Sequence, residues 1–197
     1  MTPRPSRLAL GTAAVALTAL AAAPAGAQVG AVNPFSLGVS AGGAVPTGDT
    51  GDFLETGFSV DGIIAVRAPA LPISFRGEVG YTRFGIKDAD DVNFRVISGV
   101  ANAVYTFSAG PTAVVRPYLI GGVGLYNGRV TGDNLDDEDT ESETKLGFNG
   151  GIGLEIPLSG ITGFGEVRFT SVRTKGDGDN DLPFNVNFVP IRFGIRF

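Results

Sequence analysis

From Pro34 onward the chain alternates large apolar residues with small or charged ones, and it does so in short runs closed by Gly, Pro, Asp or Asn. A period of two is the signature of a strand with two unlike faces, and no stretch holds a helical period of useful length. Eight strands are expected: Pro34 to Val45, Gly57 to Arg67, Ile73 to Phe84, Val92 to Phe107, Ala113 to Asn127, Lys145 to Leu158, Ile161 to Arg173 and Val186 to Phe197. Three connections are short (Ala68 to Pro72, Ser108 to Thr112, Ser159 with Gly160), and they alternate with four that are longer and polar. Short turns at one end and long loops at the other describe an antiparallel up-and-down meander, and eight such strands hide their edges by closing into a barrel.

The two faces then decide what surrounds the barrel. In the third strand Ile73, Phe75, Val79 and Tyr81 share a face with Gly77, against Ser74, Arg76, Glu78, Gly80 and Thr82. The sixth sets Leu146, Phe148, Ile152, Leu154 and Ile156 against Gly147, Asn149, Gly151, Gly153 and Glu155. The eighth sets Val189, Ile191, Phe193, Ile195 and Phe197 against Pro190, Arg192, Gly194 and Arg196. A soluble calycin-like lipid binder would turn the greasy face inward, but its exterior would then be mostly Gly, Ser and Ala. With the faces exchanged, small residues fill a narrow eight-stranded interior and the bulky ones meet lipid. The expected fold is therefore an all-β, eight-stranded antiparallel transmembrane β-barrel, with strands long enough to cross a bilayer at a tilt. In Val92 to Phe107 the residues Arg95, Ile97 and Asn102 conflict with Val96, Val100 and Tyr105, so either a bulge or a misassigned register is expected there and no faces are assigned.

Ahead of the strands, Arg4 and Arg7 precede an apolar run from Leu8 to Ala23 that ends in Pro24, Ala25, Gly26 and Ala27. Charged n-region, apolar h-region and Ala-x-Ala site make residues 1–27 a signal peptide, leaving 28–197 as the barrel domain. The run is alanine-rich and has no stop-transfer flank, which argues against a transmembrane anchor. The chain is exported.

Composition narrows the chemistry. The 197 residues include no Cys and no His. Disulfides, thiolate or imidazole metal sites, cysteine nucleophiles and Ser-His-Asp triads are thereby excluded. Without Arg4 and Arg7 the chain keeps 13 basic against 20 acidic residues, a net charge of −7, which is the wrong sign for a nucleic-acid surface. Glycine, at 30 residues, is about twice its average usage of roughly 7% and fits neither collagen nor a linker. On the strands, many fall on the inward face, as Gly38, Gly42, Gly80, Gly147, Gly151, Gly153 and Gly194 do.

Several blocks together resemble the small outer-membrane β-barrel family, which includes OmpA-type transmembrane domains and opacity-type surface proteins. They are Arg116-Pro117-Tyr118 leading into Gly121-Gly122-Val123-Gly124, the run Leu146 to Glu155, Phe164-Gly165-Glu166-Val167-Arg168-Phe169, and Val189 to Phe197. The resemblance spans the mature chain and implies a protein of the bacterial outer membrane with both termini and the short turns in the periplasm. It implies lipid and lipopolysaccharide as surroundings. It also makes Val189, Ile191, Phe193, Ile195 and Phe197 a signal for the outer-membrane assembly machinery. Two departures matter. The chain stops at Phe197, so the peptidoglycan-binding tether of many OmpA-type proteins is not expected. Members that deacylate lipid A use a serine-histidine pair, and this sequence has no histidine.

Of the 20 acidic residues, 16 fall in the long connections. The other four, Asp61, Glu78, Glu155 and Glu166, share inward faces with Arg76, Arg168 and Arg192, at similar heights. A buried charge without a partner costs several kcal/mol, so these seven are expected to pair, with Glu166–Arg192 on neighbouring strands as the first pair and Arg76 available to Glu78, Asp61 or Glu155. Such a belt reads as a structural plug, or as a gated narrow pore. Gly128 to Thr144, carrying Asp136-Asp137-Glu138-Asp139, reads as a solvated loop, with divalent-cation binding as its alternative. Asp177 to Asp181 begins like an EF-hand loop, but Leu182 and Phe188 stand where Gly and Glu are needed. The expectation is a monomeric barrel with no metal, cofactor or enzymatic activity, serving envelope integrity or surface interaction through its acidic loops; a small-solute channel is the alternative.

Overall fold

A computed structural model of the chain describes residues 34–68, 71–107, 113–132, 143–173 and 185–197. Eight strands appear in the expected order: β1 Phe35–Pro46, β2 Gly57–Arg67, β3 Ile73–Ile86, β4 Ala89–Thr106, β5 Arg116–Gly132, β6 Glu143–Pro157, β7 Thr162–Val172 and β8 Val186–Arg196. Each pairs antiparallel with its neighbours in sequence, and β1 pairs with β8 to close the barrel. The expected signal peptide, the acidic run Asp136 to Asp139 and the Asp177 to Asp181 segment lie outside the described residues.

The faces follow the side-chain sizes. Val79 and Phe193 are each 69% exposed and Ile152 is 63% exposed, whereas Arg76 is 1% exposed. Large apolar side chains cover the outside and charged ones occupy the inside, which removes the support for a soluble lipid-binding barrel. Outward Leu146 to Ile156 in β6 covers about 34 Å of strand, or about 26 Å along the axis at a tilt of roughly 40°, close to the height of an outer-membrane apolar band. Aromatic pairs mark its two edges: Phe58 with Tyr81, ring centroids 6.1 Å apart, and Tyr105 with Phe107, 5.1 Å apart. Amphipathic rings prefer such interfaces.

Two expectations are corrected. Strand β4 holds one continuous register against β3 from Tyr105 to Asn93, and the only shift lies between Gly85 and Ile86. No bulge interrupts Val92 to Phe107. Its inward residues include Val96, Val100, Val104 and Asn102, and its outward ones Arg95, Ile97 and Tyr105. The conflict arose because this strand puts valines into the interior. The connection expected over residues 85–91 is likewise a tight turn at Lys87 and Asp88, with Asp88 at φ 60°, so β3 and β4 extend well past the apolar band as a hairpin.

Beside that hairpin, the β1–β2 connection folds back on the barrel mouth around α1, Thr50–Phe53. Thr50 Oγ1 donates to the Asn185 carbonyl at 3.3 Å and accepts from the Asn187 amide at 2.9 Å. Glu55 N donates to Gly85 O at 2.9 Å, Lys87 N to Phe53 O at 2.9 Å and Lys87 Nζ to Gly51 O at 2.6 Å. These bonds fasten the connection to both β8 and the β3 tip.

Candidate functional site

The interior is stacked in three layers along the axis. Nearest the long-loop end, Ala44, Phe84, Val96, Tyr126, Val172, Val186 and Phe188 form an apolar cluster, with Phe84 and Phe188 edge-to-face at 5.4 Å. Nearest the short-turn end, Ile63, Val104, Tyr118, Ile120 and Phe164 form a second. Charged side chains lie between and beside these clusters.

All seven residues expected in the belt are there and buried: Asp61, Arg76, Glu78, Glu155, Glu166, Arg168 and Arg192. Alternation sends each inward, but their partners are chosen by reach across the lumen. Arg168 on β7 holds both oxygens of Glu78 on β3, at 2.7 and 2.6 Å, a bidentate fork. The same guanidinium also meets Glu166. Arg76 lies 2.8 Å from Glu166 and 3.5 Å from Glu78. The four form one closed ring of charge, and Tyr118 adds a hydroxyl donated to Glu166 at 2.7 Å.

Glu166 and Arg192 face each other in the β7–β8 ladder as expected, yet they do not form the first ion pair. Arg192 turns to Asp61, Nε to Oδ2 3.1 Å, where Ser40 Oγ also donates at 3.2 Å. Glu166 is already held by two arginines and a tyrosine. Arg76 uses Glu78, one of the partners expected for it, and Glu166, which was not; Asp61 and Glu155 are engaged elsewhere. Glu155 instead binds Arg196, 2.5 Å away. Arg196 was missed as a member, although its parity with Arg192 and Gly194 on β8 was the available signal.

With Arg196 included, the buried charged side chains among the described residues are four acids and four arginines, so their formal charges cancel. Arg76 is further clamped between the rings of Tyr118 and Phe164, 5.6 and 5.1 Å from their centroids, an arrangement favourable to a desolvated cation. The glycines make this possible. Tyr118 is laddered to Gly153 and Phe164 to Gly194, and a Cβ at either glycine would collide with the ring lying over it. Among the described residues, a cavity of about 10 Å³ lies beside Asp61, Glu78, Arg168 and Arg192, the size that admits one water at most. Among the described residues no group of side chains could hold a metal ion.

Fold and interior together define the class of protein. The chain matches the outer membrane protein beta-barrel domain over residues 12–197 and belongs to that family. Neisserial surface protein A is similar to it in structure, with a TM-score of 0.64 at 21% identity, covering 83% of this chain and 96% of the other. A major outer membrane protein from Thermus thermophilus gives a TM-score of 0.52 at 16% identity, covering 84% and 99%. At these identities the likeness is one of fold. No curated protein matches the chain.

Proposed function

We propose that the protein is a closed, non-conducting and non-enzymatic barrel of the bacterial outer membrane, monomeric after removal of residues 1–27, which serves envelope integrity or surface interaction through its acidic connections. The observation that carries this reading is the interior of the described barrel: four acids and four arginines, mutually paired, packed with two apolar clusters and beside a cavity of about 10 Å³. An ion entering would have to break bidentate bonds such as Arg168–Glu78 without water to replace them. The plug also ties β3 to β7 across the lumen, which holds the strands in register. The C-terminal residues Val189, Ile191, Phe193, Ile195 and Phe197 serve the assembly machinery in this reading, and lipid and lipopolysaccharide surround the band.

Purified protein in planar bilayers tests the closed interior: no steady conductance is expected, whereas open events that change in Arg192→Ala would establish the channel reading instead. Deleting residues 132–144 tests the loops, with adhesion and divalent-cation binding expected to fall while the barrel stays folded. Unchanged adhesion and cation binding would remove the surface-interaction role from that loop.

A further inference from the structure

Three arginines form one rung on the outside of the barrel. Arg83 in β3 is laddered to Arg95 in β4, and Arg95 to Arg129 in β5. Each has the outward parity of its strand, in line with Val79, Ile97 and Leu125, which are all exposed. Like charges directly opposite on neighbouring strands, with Cα atoms about 5 Å apart, destabilise a sheet unless something compensates them. Within the described residues, neither Arg83 nor Arg95 has a carboxylate in ion-pair reach. The Glu55 side chain lies over the outer face of Gly85, one outward position above Arg83. Among the described residues, that carboxylate sets one negative charge beside the two guanidiniums of Arg83 and Arg95.

The rung's height is as telling as its charge. Tyr81 and Ile97 are the last apolar outward residues of β3 and β4 before the rung, so the arginines stand where the apolar band ends on the long-loop side. If the barrel spans the membrane as proposed above, that level is the headgroup layer of the outer leaflet. On the outward face of β4, exposed Ile97 follows Arg95, and beneath it Gly99, Ala101 and Ala103 make a floor of small residues. Val79 and Phe75 stand on one side and Leu125 and Val123 on the other, each pair on the neighbouring strand. The outer face of Gly99 is open, with no heavy atom within 4 Å of a Cβ built there. A shallow lane about 13 Å long therefore runs down the barrel wall from Gly99, starting one outward residue (Ile97) beneath the cationic rung.

We propose that Arg83, Arg95 and Arg129 bind a phosphate group of an outer-leaflet lipid whose acyl chain lies in the β4 lane beneath them. Guanidinium forks match phosphate oxygens in pairs, and adjacent strands set three forks side by side. Basic clusters at the membrane surface recognise lipid headgroups by this chemistry. The lane makes the site selective for an amphiphile, because a free phosphate gains nothing from it.

The test uses the full barrel in detergent, titrated with bisphosphorylated lipid A or its dephosphorylated form and read by native mass spectrometry, with heat-modifiable gel mobility checking that each variant is folded. The wild type is expected to retain the phosphorylated lipid at least tenfold better than the dephosphorylated one. Arg83→Gln/Arg95→Gln/Arg129→Gln is expected to lose that tenfold preference; should it not fold, Arg95→Gln alone is expected to lose at least threefold. Ala101→Phe/Ala103→Phe, which fills the lane and leaves the rung intact, is expected to weaken lipid retention at least threefold. Excess inorganic phosphate is expected to leave the lipid bound. Equal retention by the glutamine variants, indifference to the lipid's phosphates, or full displacement by inorganic phosphate would each overturn the proposal. A protein that fails to enter bilayers at all refutes the membrane reading, whereas one that inserts but ignores the phosphates refutes only this site.

Discussion

Replacing Glu78 by Gln keeps the side-chain shape and removes one of the eight buried charges that cancel among the described residues. Glu78 accepts two short bonds from Arg168, at 2.7 and 2.6 Å, and lies 3.5 Å from Arg76 and 3.8 Å from Arg192. Its side chain is 2% exposed, so no solvent stands in for the lost charge. Hydrogen bonds to charged groups contribute about 1.5–3 kcal/mol each, and the amide retains one acceptor of the two. Orphaning a buried partner typically costs about 3–5 kcal/mol, which the loss of one charge-assisted bond plus the uncompensated guanidinium also reaches. Urea unfolding in phospholipid vesicles should therefore show E78Q destabilised by about 3 kcal/mol or more. Asp52→Asn, in exposed α1, should stay within about 0.5 kcal/mol. Adding Arg168→Gln to E78Q restores neutrality, so the double variant should be more stable than the sum of the singles by about 1 kcal/mol or more. An E78Q barrel less than about 1 kcal/mol weaker than wild type would mean that water reaches these charges, and the closed interior would be refuted.

Further expectations concern the packing, the wall and the assembly signal. Tyr118→Phe removes the hydroxyl bond to Glu166 and should cost about 1.5–3 kcal/mol by the same unfolding assay, with the circular dichroism spectrum unchanged. Gly153→Ala puts a methyl group into the Tyr118 ring and should cost about 1–3 kcal/mol, whereas Gly62→Ala, with open space around it, should be near neutral. Ile152→Arg places a charge near the middle of the outward run of β6 and should cost about 2–4 kcal/mol in bilayers if that face meets lipid. Phe197→Ala should leave refolding in vitro intact but lower the folded fraction in the outer membrane of cells, as measured by gel mobility; unaltered assembly would remove the signal role.

The legible parts of this protein were those where the two faces differ in size. In β3, β6 and β8 bulky apolar residues alternate with glycine or charge, and the exposure of Val79, Ile152 and Phe193 follows that alternation. Strand β4 was illegible for the opposite reason. Its inward face carries Val96, Val100 and Val104 into the apolar clusters, while its outward face holds Arg95, Gly99, Ala101 and Ala103, so hydrophobicity does not separate them. The members of the charge cluster could be found by parity and height, but the pairing could not. Alternation identifies neighbours along the sheet; Arg168 and Glu78 meet across the lumen, from β7 to β3, at a distance only the closed barrel sets. The hairpin tip was also hidden, because the polar run around Lys87 and Asp88 looks like a loop until the positive φ of Asp88 folds it into a turn.

The most direct measurement is of the inside-out arrangement. The chain contains no Trp, so Val79→Trp and Phe193→Trp each supply a single fluorophore on an outward position. In vesicles of acyl-brominated lipid, both are predicted to be strongly quenched by bromine and nearly insensitive to aqueous iodide. Quenching by iodide with no effect of bromine would place those faces in water and contradict the account.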